Sequence, residues 1–251
     1  MDSSSRRRPP ITHEMLVTPT AAAAPSAAPH TAAASPLPGR LERLKNQPRQ
    51  PGEASFFFYD THFHSDAVKL LPGEFYVTHE DLLLLTTLGS CIAARLWDRE
   101  KRVGGMNHFL LPDTGPGGAG SDSGRYGSFA MDLLIGEMIK RGATRSTKQA
   151  KVFGGAAVIS GMNSSNVGER NTALVLDYLR TERITVVSKD VLNIYPRKVC
   201  FLPASGKAMV KRLASANTDA LAAQECAAAI CAAATCAAPP VAGGGGSFDI
   251  F

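Results

Sequence analysis

LTTLGSCIAARLWDREKRVGGMNHFLLP, Leu85 to Pro112, is two apolar arms around one charged turn. Asp98-Arg99-Glu100-Lys101 is the turn. Cys91–Trp97 and Gly104–Leu111 are the arms, and the pattern predicts an antiparallel hairpin. Hairpin pairing brings the two outer ends together. Cys91 starts the first arm and His108 lies near the end of the second, so a thiol and an imidazole reach the same end of the ribbon. Whether they share a face depends on register, because side chains alternate along a strand.

The same reading extends in both directions. Phe56-Phe57-Phe58-Tyr59 is an apolar anchor, Leu70-Leu71-Pro72-Gly73 is a turn signal, and Glu74–Thr78 and Leu82–Thr86 are strand candidates. Asp113 to Tyr126 reads as a Gly-rich loop, a flexible rim without the Lys-Ser/Thr ending of a phosphate loop. Phe129–Arg141 predicts a helix with Ala130, Leu133, Leu134 and Met138 on one face, capped by Ser128 and stopped by Gly142. Ala150–Phe153 predicts a buried strand ending at Gly154-Gly155. A second helix is expected from Asn166, which with Glu169 has capping-box spacing, and Thr172, Val175, Leu176 and Leu179 form its stripe. Ile184–Ser188, Lys198–Leu202 and Ala208–Leu213 complete the strands. An early hairpin followed by strands interrupted by two helices predicts an α+β or layered α/β fold.

Composition sets the limits of this domain. Residues 1–54 are rich in Pro, Ala, Ser and Arg, and residues 214–251 are Ala-rich and pass through Gly243-Gly244-Gly245-Gly246. Neither buries enough apolar surface to offset its ordering entropy, so both are expected to be disordered around a domain at 55–213. The net charge is +5. The first segment carries seven basic and four acidic groups, and the last carries three acids and no Lys or Arg. The charge of the middle is spread, with no basic stripe and interleaved aromatics, which argues against nucleic-acid binding. Arg6-Arg7-Arg8 is followed by Pro9-Pro10 and no apolar stretch, so no export signal is read. Leu82–Ile92 falls far short of the ~20 apolar residues that cross a bilayer. The expected location is the cytoplasm, with the five cysteines as free thiols. Cys226, Cys231 and Cys236 have no metal-site spacing, and Cys200 in KVCFL reads as a small buried hydrophobe.

Only Cys91 has a neighbourhood that suggests chemistry. A free thiol has a pKa of about 8.5, and an imidazole that takes its proton makes the thiolate nucleophile. A tight Gly89-Ser90 step would aim backbone N–H groups at an oxyanion, an effect worth roughly 3–4 kcal/mol per donor. A third group must orient the imidazole. Asn107 is adjacent to His108 and points to the opposite face; Thr86 and Thr87, just before the cysteine, are better placed. The competing reading is that Cys91 and His108 are core filler in a half-buried sheet. His62 and His64 in DTHFHSD would share a strand face as two metal ligands do, but no partner pair follows, and a solvated polar segment is the simpler reading. His79-Glu80-Asp81 reads as a charged turn. Ser90 is not in a G-x-S-x-G elbow, which argues against a serine hydrolase. On the residues alone, a thiol peptidase is the next enzymatic reading.

Leu88-Gly89-Ser90-Cys91 and Gly104-Gly105-Met106-Asn107-His108-Phe109-Leu110-Leu111-Pro112 resemble the CheD family of chemoreceptor glutamine deamidases. Lys151-Val152-Phe153-Gly154-Gly155-Ala156, Asn166-Val167-Gly168-Glu169-Arg170-Asn171 and Pro196-Arg197-Lys198-Val199 do so too, as do Phe58-Tyr59-Asp60 and Leu71–Thr78. The resemblance runs from about 56 to 213. It implies hydrolysis of selected glutamine side chains on methyl-accepting chemotaxis receptors, without metal or organic cofactor. It puts the nucleophile at Cys91, the base at His108 and a third residue at Thr86 by the commonest spacing, with Thr87 left open; Gly89 and Ser90 shape the site. It implies a layered α/β sandwich related to toxin deamidases of the cytotoxic necrotizing factor type. A CheC-type phosphatase is a further implied partner, and a CheD-like module that docks without turnover is the alternative. One segment departs: Val191-Leu192-Asn193-Ile194 stands where the family usually has a Gly-Gly pair before Pro-Arg-Lys. If those glycines shape a loop near the substrate, the departure bears on binding or specificity.

Overall fold

The computed structural model describes residues 39–110, 120–144, 146–157 and 164–213, with Leu221, Ala223 and Ala227 as isolated positions. In chain order the described elements are α1 (Arg40–Asn46), β1 (Phe56–Asp60), β2 (Ser65–Lys69), β3 (Phe75–Thr78), β4 (Leu83–Leu88), β5 (Ile92–Asp98), β6 (Val103–Asn107), α2 (Gly120–Lys140), β7 (Lys148–Gly154), α3 (Ser164–Thr181), β8 (Thr185–Val191), β9 (Arg197–Leu202) and β10 (Lys207–Arg212). The strands form two five-stranded sheets. One has the order β3-β6-β5-β7-β8 and contains the predicted hairpin; its partner has the order β1-β2-β4-β9-β10.

Alternation along β5 shows how the layers stack. Ile92, Ala94 and Leu96 join Met131, Leu134 and Met138 of α2 and Val175 and Leu179 of α3 in one core. Cys91 and Ala93 join Leu84, Leu88, Val199 and Phe201 of the partner sheet in another. The hairpin sheet is thus covered on both faces, by helices and by a second sheet. That explains why CIAARLW reads as a nearly continuous apolar run. Burying each large apolar side chain on these faces contributes about 1.5–3 kcal/mol. Gly104-Gly105 is the thin point. A Cβ on Gly104 would lie 2.6 Å from the Phe201 ring, and one on Gly105 would lie 2.6 Å from Val77 and 2.8 Å from Leu134. One glycine admits the partner sheet and the other admits α2.

The layered α/β expectation therefore holds, and every expected strand in the described residues is present within a few positions. Four local expectations need correction. α2 begins at Gly120, so residues 120–126 are helical rather than loop, and Ser128 is inside the helix rather than at its cap. Gly120, Gly124 and Gly127 cost about 1 kcal/mol each in a helix, and extension from the packed stripe outweighs them. Residues 113–119 of that expected loop fall outside the described residues. α3 begins at Ser164, so Asn166 is not its cap. His62 and His64 lie in the β1–β2 turn, His64 at φ 48°, so they share no strand face. Finally, α1 lies inside the stretch expected to be disordered. Its Leu44 is buried and its Arg40 reaches Asp66 at 3.5 Å and Glu80 at 3.0 Å. The remainder of 1–54 before Gly39, and nearly all of 214–251, fall outside the described residues.

Candidate active site

The chain crosses from the partner sheet to the hairpin sheet at Gly89-Ser90-Cys91, between β4 and β5. Register then places the thiol. Arg95 pairs with Met106, and beyond the ladder Ile92 and Phe109 exchange two backbone hydrogen bonds of 2.9 Å. In this constant register Ala93 stands opposite His108. Cys91 is two residues from Ala93, so Cys91 and His108 point from the same face as diagonal neighbours. That face looks into the layer between the sheets.

Asn107 occupies the step between these two pairings and points the other way, as alternation requires. Its Oδ1 accepts the Ala94 N–H at 2.9 Å, replacing a backbone carbonyl in the ladder, and its Nδ2 donates to the Ala130 carbonyl at 3.2 Å. It joins the hairpin to α2 and does not orient the imidazole.

Thr86 does contact the imidazole. Its Oγ1 lies 2.8 Å from His108 Nδ1 and 3.0 Å from the Leu70 carbonyl, which is itself 3.3 Å from Nδ1. The carbonyl only accepts. The threonine proton therefore goes to Leu70, and Nδ1–H donates to Thr86 Oγ1. This tautomer puts the ring's lone pair on Nε2. Thr87 shares the opposite face of β4 with Leu85 of the outer core, and both border an outer hollow with Phe58, Asp60, Lys69 and Lys198 that Thr86 also touches. The Leu70 carbonyl has no side-chain signal in the sequence. It is held by the Leu71–Glu74 turn, where Glu74 accepts the Leu71 N–H at 2.8 Å. Burial pushes the Glu74 carboxyl up, against the pull of that amide.

The Gly89-Ser90-Cys91 turn is held by its carbonyls. Gly89 accepts from Ala156 N–H at 2.7 Å and Cys91 from Gly155 N–H at 2.8 Å. Ser90 accepts from Asn171 Nδ2, on α3, at 2.8 Å. A trans peptide sets N–H opposite C=O, so fixing the Gly89 and Ser90 carbonyls aims the Ser90 and Cys91 N–H groups the other way. The glycines around the turn are needed for close approach. Gly154 has φ 111° and Gly155 φ 70°; a Cβ on Gly154 would collide with the Cys91 carbonyl, and one on Gly168 of α3 with the Gly155 carbonyl. Asn171 is fully buried. In the sequence it stands out only as part of the longer Asn166–Asn171 motif; its role depends on a contact 81 positions away.

The β8–β9 loop closes the same region. Leu192 N–H donates to Gly154, and Asn193 accepts from Ala157 N–H, both at 2.8 Å. Leu192 has φ 63° and Asn193 φ 72°, the left-handed conformation a glycine pair takes freely. The backbone shape is kept here without glycine, at a cost of about 1–2 kcal/mol for the leucine. Arg197 holds the loop from inside, donating to the Leu192 carbonyl at 2.7 Å, the Tyr195 carbonyl at 2.9 Å and Asp190 at 2.9 Å.

Cys91 is 0% exposed, Thr86 2% and His108 3%. Among the described residues no group of three or more His, Cys, Asp or Glu side chains is placed to hold a metal ion, and no helix is long and apolar enough to cross a membrane.

Residues 110–212 match a family model described as CheD chemotactic sensory transduction. The chain is 61% identical over 186 residues to the probable chemoreceptor glutamine deamidase CheD 1 of Albidiferax ferrireducens, covering 74% of this chain and 78% of that protein. It is 52% identical over 178 residues to the probable chemoreceptor glutamine deamidases CheD of Burkholderia mallei and Burkholderia pseudomallei, covering 70% of this chain and 76% of each.

Proposed function

From the premise that this chain belongs to the CheD family, we propose that it is a chemoreceptor glutamine deamidase whose nucleophile is Cys91, with His108 as base and Thr86 as the residue that orients it. It converts selected receptor glutamines to glutamates and releases ammonia. The catalytic domain is assigned to 55–213, with α1 packed against it, and it acts in the cytoplasm on methyl-accepting chemotaxis receptors. A CheC-type phosphatase is the second partner.

The observation that carries the reading is the shared inward face of Cys91 and His108, with Nδ1–H engaged by Thr86. His108 Nε2 takes the thiol proton, and the sulfur attacks the glutamine Cδ. The N–H groups of Ser90 and Cys91 take the oxyanion. The imidazolium then gives its proton to the departing nitrogen, which leaves as ammonia, and a thioester remains. His108 next takes a proton from water, the hydroxide adds to the thioester carbonyl, and its collapse frees glutamate and returns the thiol. The reaction consumes one water per amide and needs no electron transfer.

Incubation with receptor cytoplasmic fragments, followed by peptide mass mapping, tests this. The native chain is expected to convert glutamine to glutamate without shortening the receptor, and Cys91→Ala to convert none. Equal conversion by Cys91→Ala refutes the assigned nucleophile. Chain cleavage would instead mark a thiol peptidase. The complete burial of the thiol favours one second reading, a module that docks on receptors without turnover; binding with no conversion by the native chain would establish it.

A further inference from the structure

The β8–β9 loop is fixed from within and apolar outside. Arg197 is 1% exposed and clamps the loop carbonyls, while the 154–157 segment that grips Gly89 and Cys91 also bonds Leu192 and Asn193. The loop is therefore positioned relative to the thiol. Its side chains face solvent: Ile194 is 60% exposed, Tyr195 41% and Leu192 36%. A loop already held by a buried guanidinium gains nothing from three neighbouring exposed apolar groups. Beside a reactive centre such a group of side chains is a contact surface.

At the foot of the loop a cleft of about 520 Å³ opens between β7, β8 and β10. Lys151 and Arg212 reach into it, with Asp190 as the carboxylate of the lining, whereas Lys189 stands beside Val152 on the helix-side face of β8. Asp190 already pairs with Arg197 at 2.8 Å and Arg212 at 3.3 Å. Among the described residues Lys151 is in no ion pair. Directly across the strand pair from Lys151 is Arg95, which is buried against the Phe201 ring and donates to the Gly206 carbonyl. Burial, and then the charge of Arg95, push the Lys151 ammonium down. The cleft holds cationic charge that the described residues do not balance.

We propose that the Leu192–Tyr195 loop and this cleft form one docking surface, occupied by an amphipathic polypeptide segment that bears carboxylates beside the target glutamine. Its apolar side covers Ile194 and Tyr195, and its carboxylates enter the cleft toward Lys151. The proposal rests on the deamidase reading for its substrate, and it makes flanking residues, rather than the glutamine alone, the source of selection.

The full chain is tested with a fluorescently labelled receptor cytoplasmic fragment. Kd is measured by anisotropy in a Cys91→Ala background, and KM and kcat are measured with Cys91 intact. Ile194→Ser with Tyr195→Ser, and Lys151→Gln, are each expected to raise Kd and KM about tenfold with kcat unchanged. Lys151→Gln is also expected to remove most of the salt dependence of Kd. Ile194→Ser alone, at an exposed position, serves if the double variant melts early. Unchanged Kd and KM in every variant overturn the docking surface while native deamidation stands. Conversely, a native chain that converts no glutamine but binds the fragment through these residues leaves the surface and removes the deamidase reading.

Discussion

His108 is oriented by a hydroxyl and a carbonyl rather than by a carboxylate. A carboxylate would favour the charged ring strongly; Thr86 and Leu70 mainly fix its tautomer and direction. Thr86→Val keeps the shape and removes the acceptor. It takes from Nδ1–H its acceptor at 2.8 Å and keeps the Leu70 carbonyl at 3.3 Å, and costs about 1 kcal/mol of stability for the lost buried bond. Its effect on turnover is expected to be larger, about tenfold to a hundredfold in kcat, by analogy with the loss seen when a group that orients a metal-bound imidazole is removed. Thr86→Ser restores the hydroxyl and is expected to recover most of kcat. Steady-state kinetics on the receptor fragment decide it: a fully active Thr86→Val removes Thr86 from the site. Thr87→Val, facing the outer hollow, is expected to leave kcat unchanged.

The hairpin's charged turn also carries a structural load, at Asp98. Its Oδ1 accepts the N–H groups of Glu100 and Lys101 at 3.0 Å, closing the turn. Its Oδ2 accepts Thr144 N–H at 2.8 Å and Thr147 Oγ1 at 2.6 Å, tying the turn to the approach of β7. Burial would push this carboxyl up, but the Thr147 hydroxyl and the Lys101, Thr144 and Glu100 amides outweigh it and hold it below its ordinary value. A depressed carboxyl stabilises the fold above its unfolded value of about 3.9 and loses that contribution as pH falls through the lower folded value. Asp98→Asn turns a donor toward donors and is expected to cost about 1–3 kcal/mol at pH 7. Its deficit against the native chain should narrow below about pH 4. Urea melts at both pH values check this; a deficit independent of pH refutes the role of the charge. The hairpin itself was legible because its signals are local: two apolar arms and a charged turn. The start of α2 was not, because glycine propensity is local and the packing that overrides it comes from β6 and β3. Between Thr86 and Thr87 the residues alone left the choice open and the family resemblance favoured Thr86, since adjacent residues swap faces and the β4–β9 pairing, Thr86 with Val199, sets which one looks inward. Asn171 and Arg197 were visible as motif members, but their tasks depend on carbonyls remote in sequence or set by an unusual loop.

In the whole molecule Cys91 and His108, the proposed nucleophile and base, are enclosed by two sheets, the 154–157 segment, α3 and the β8–β9 loop. Attack requires the substrate carbonyl carbon within about 3–3.5 Å of the sulfur. A thiol with 0% exposure meets that requirement only after neighbours move, so turnover includes an opening step. The candidates are the pieces joined by few bonds: the Ala156–Gly89 and Ala157–Asn193 hydrogen bonds can part without unpairing either sheet. Iodoacetamide reports this directly, with each cysteine read separately by mass spectrometry. In the free native chain Cys91 is expected to react at least tenfold more slowly than in urea, because local opening limits its exposure. Addition of a receptor fragment whose target glutamines are replaced by alanine is expected to speed Cys91 labelling and leave Cys200, buried in the partner sheet's outer core, slow. Equal labelling of Cys91 in the native and unfolded chains would mean that the site stands open. Acceleration of both cysteines together would mean general loosening, and would remove the opening step from the mechanism.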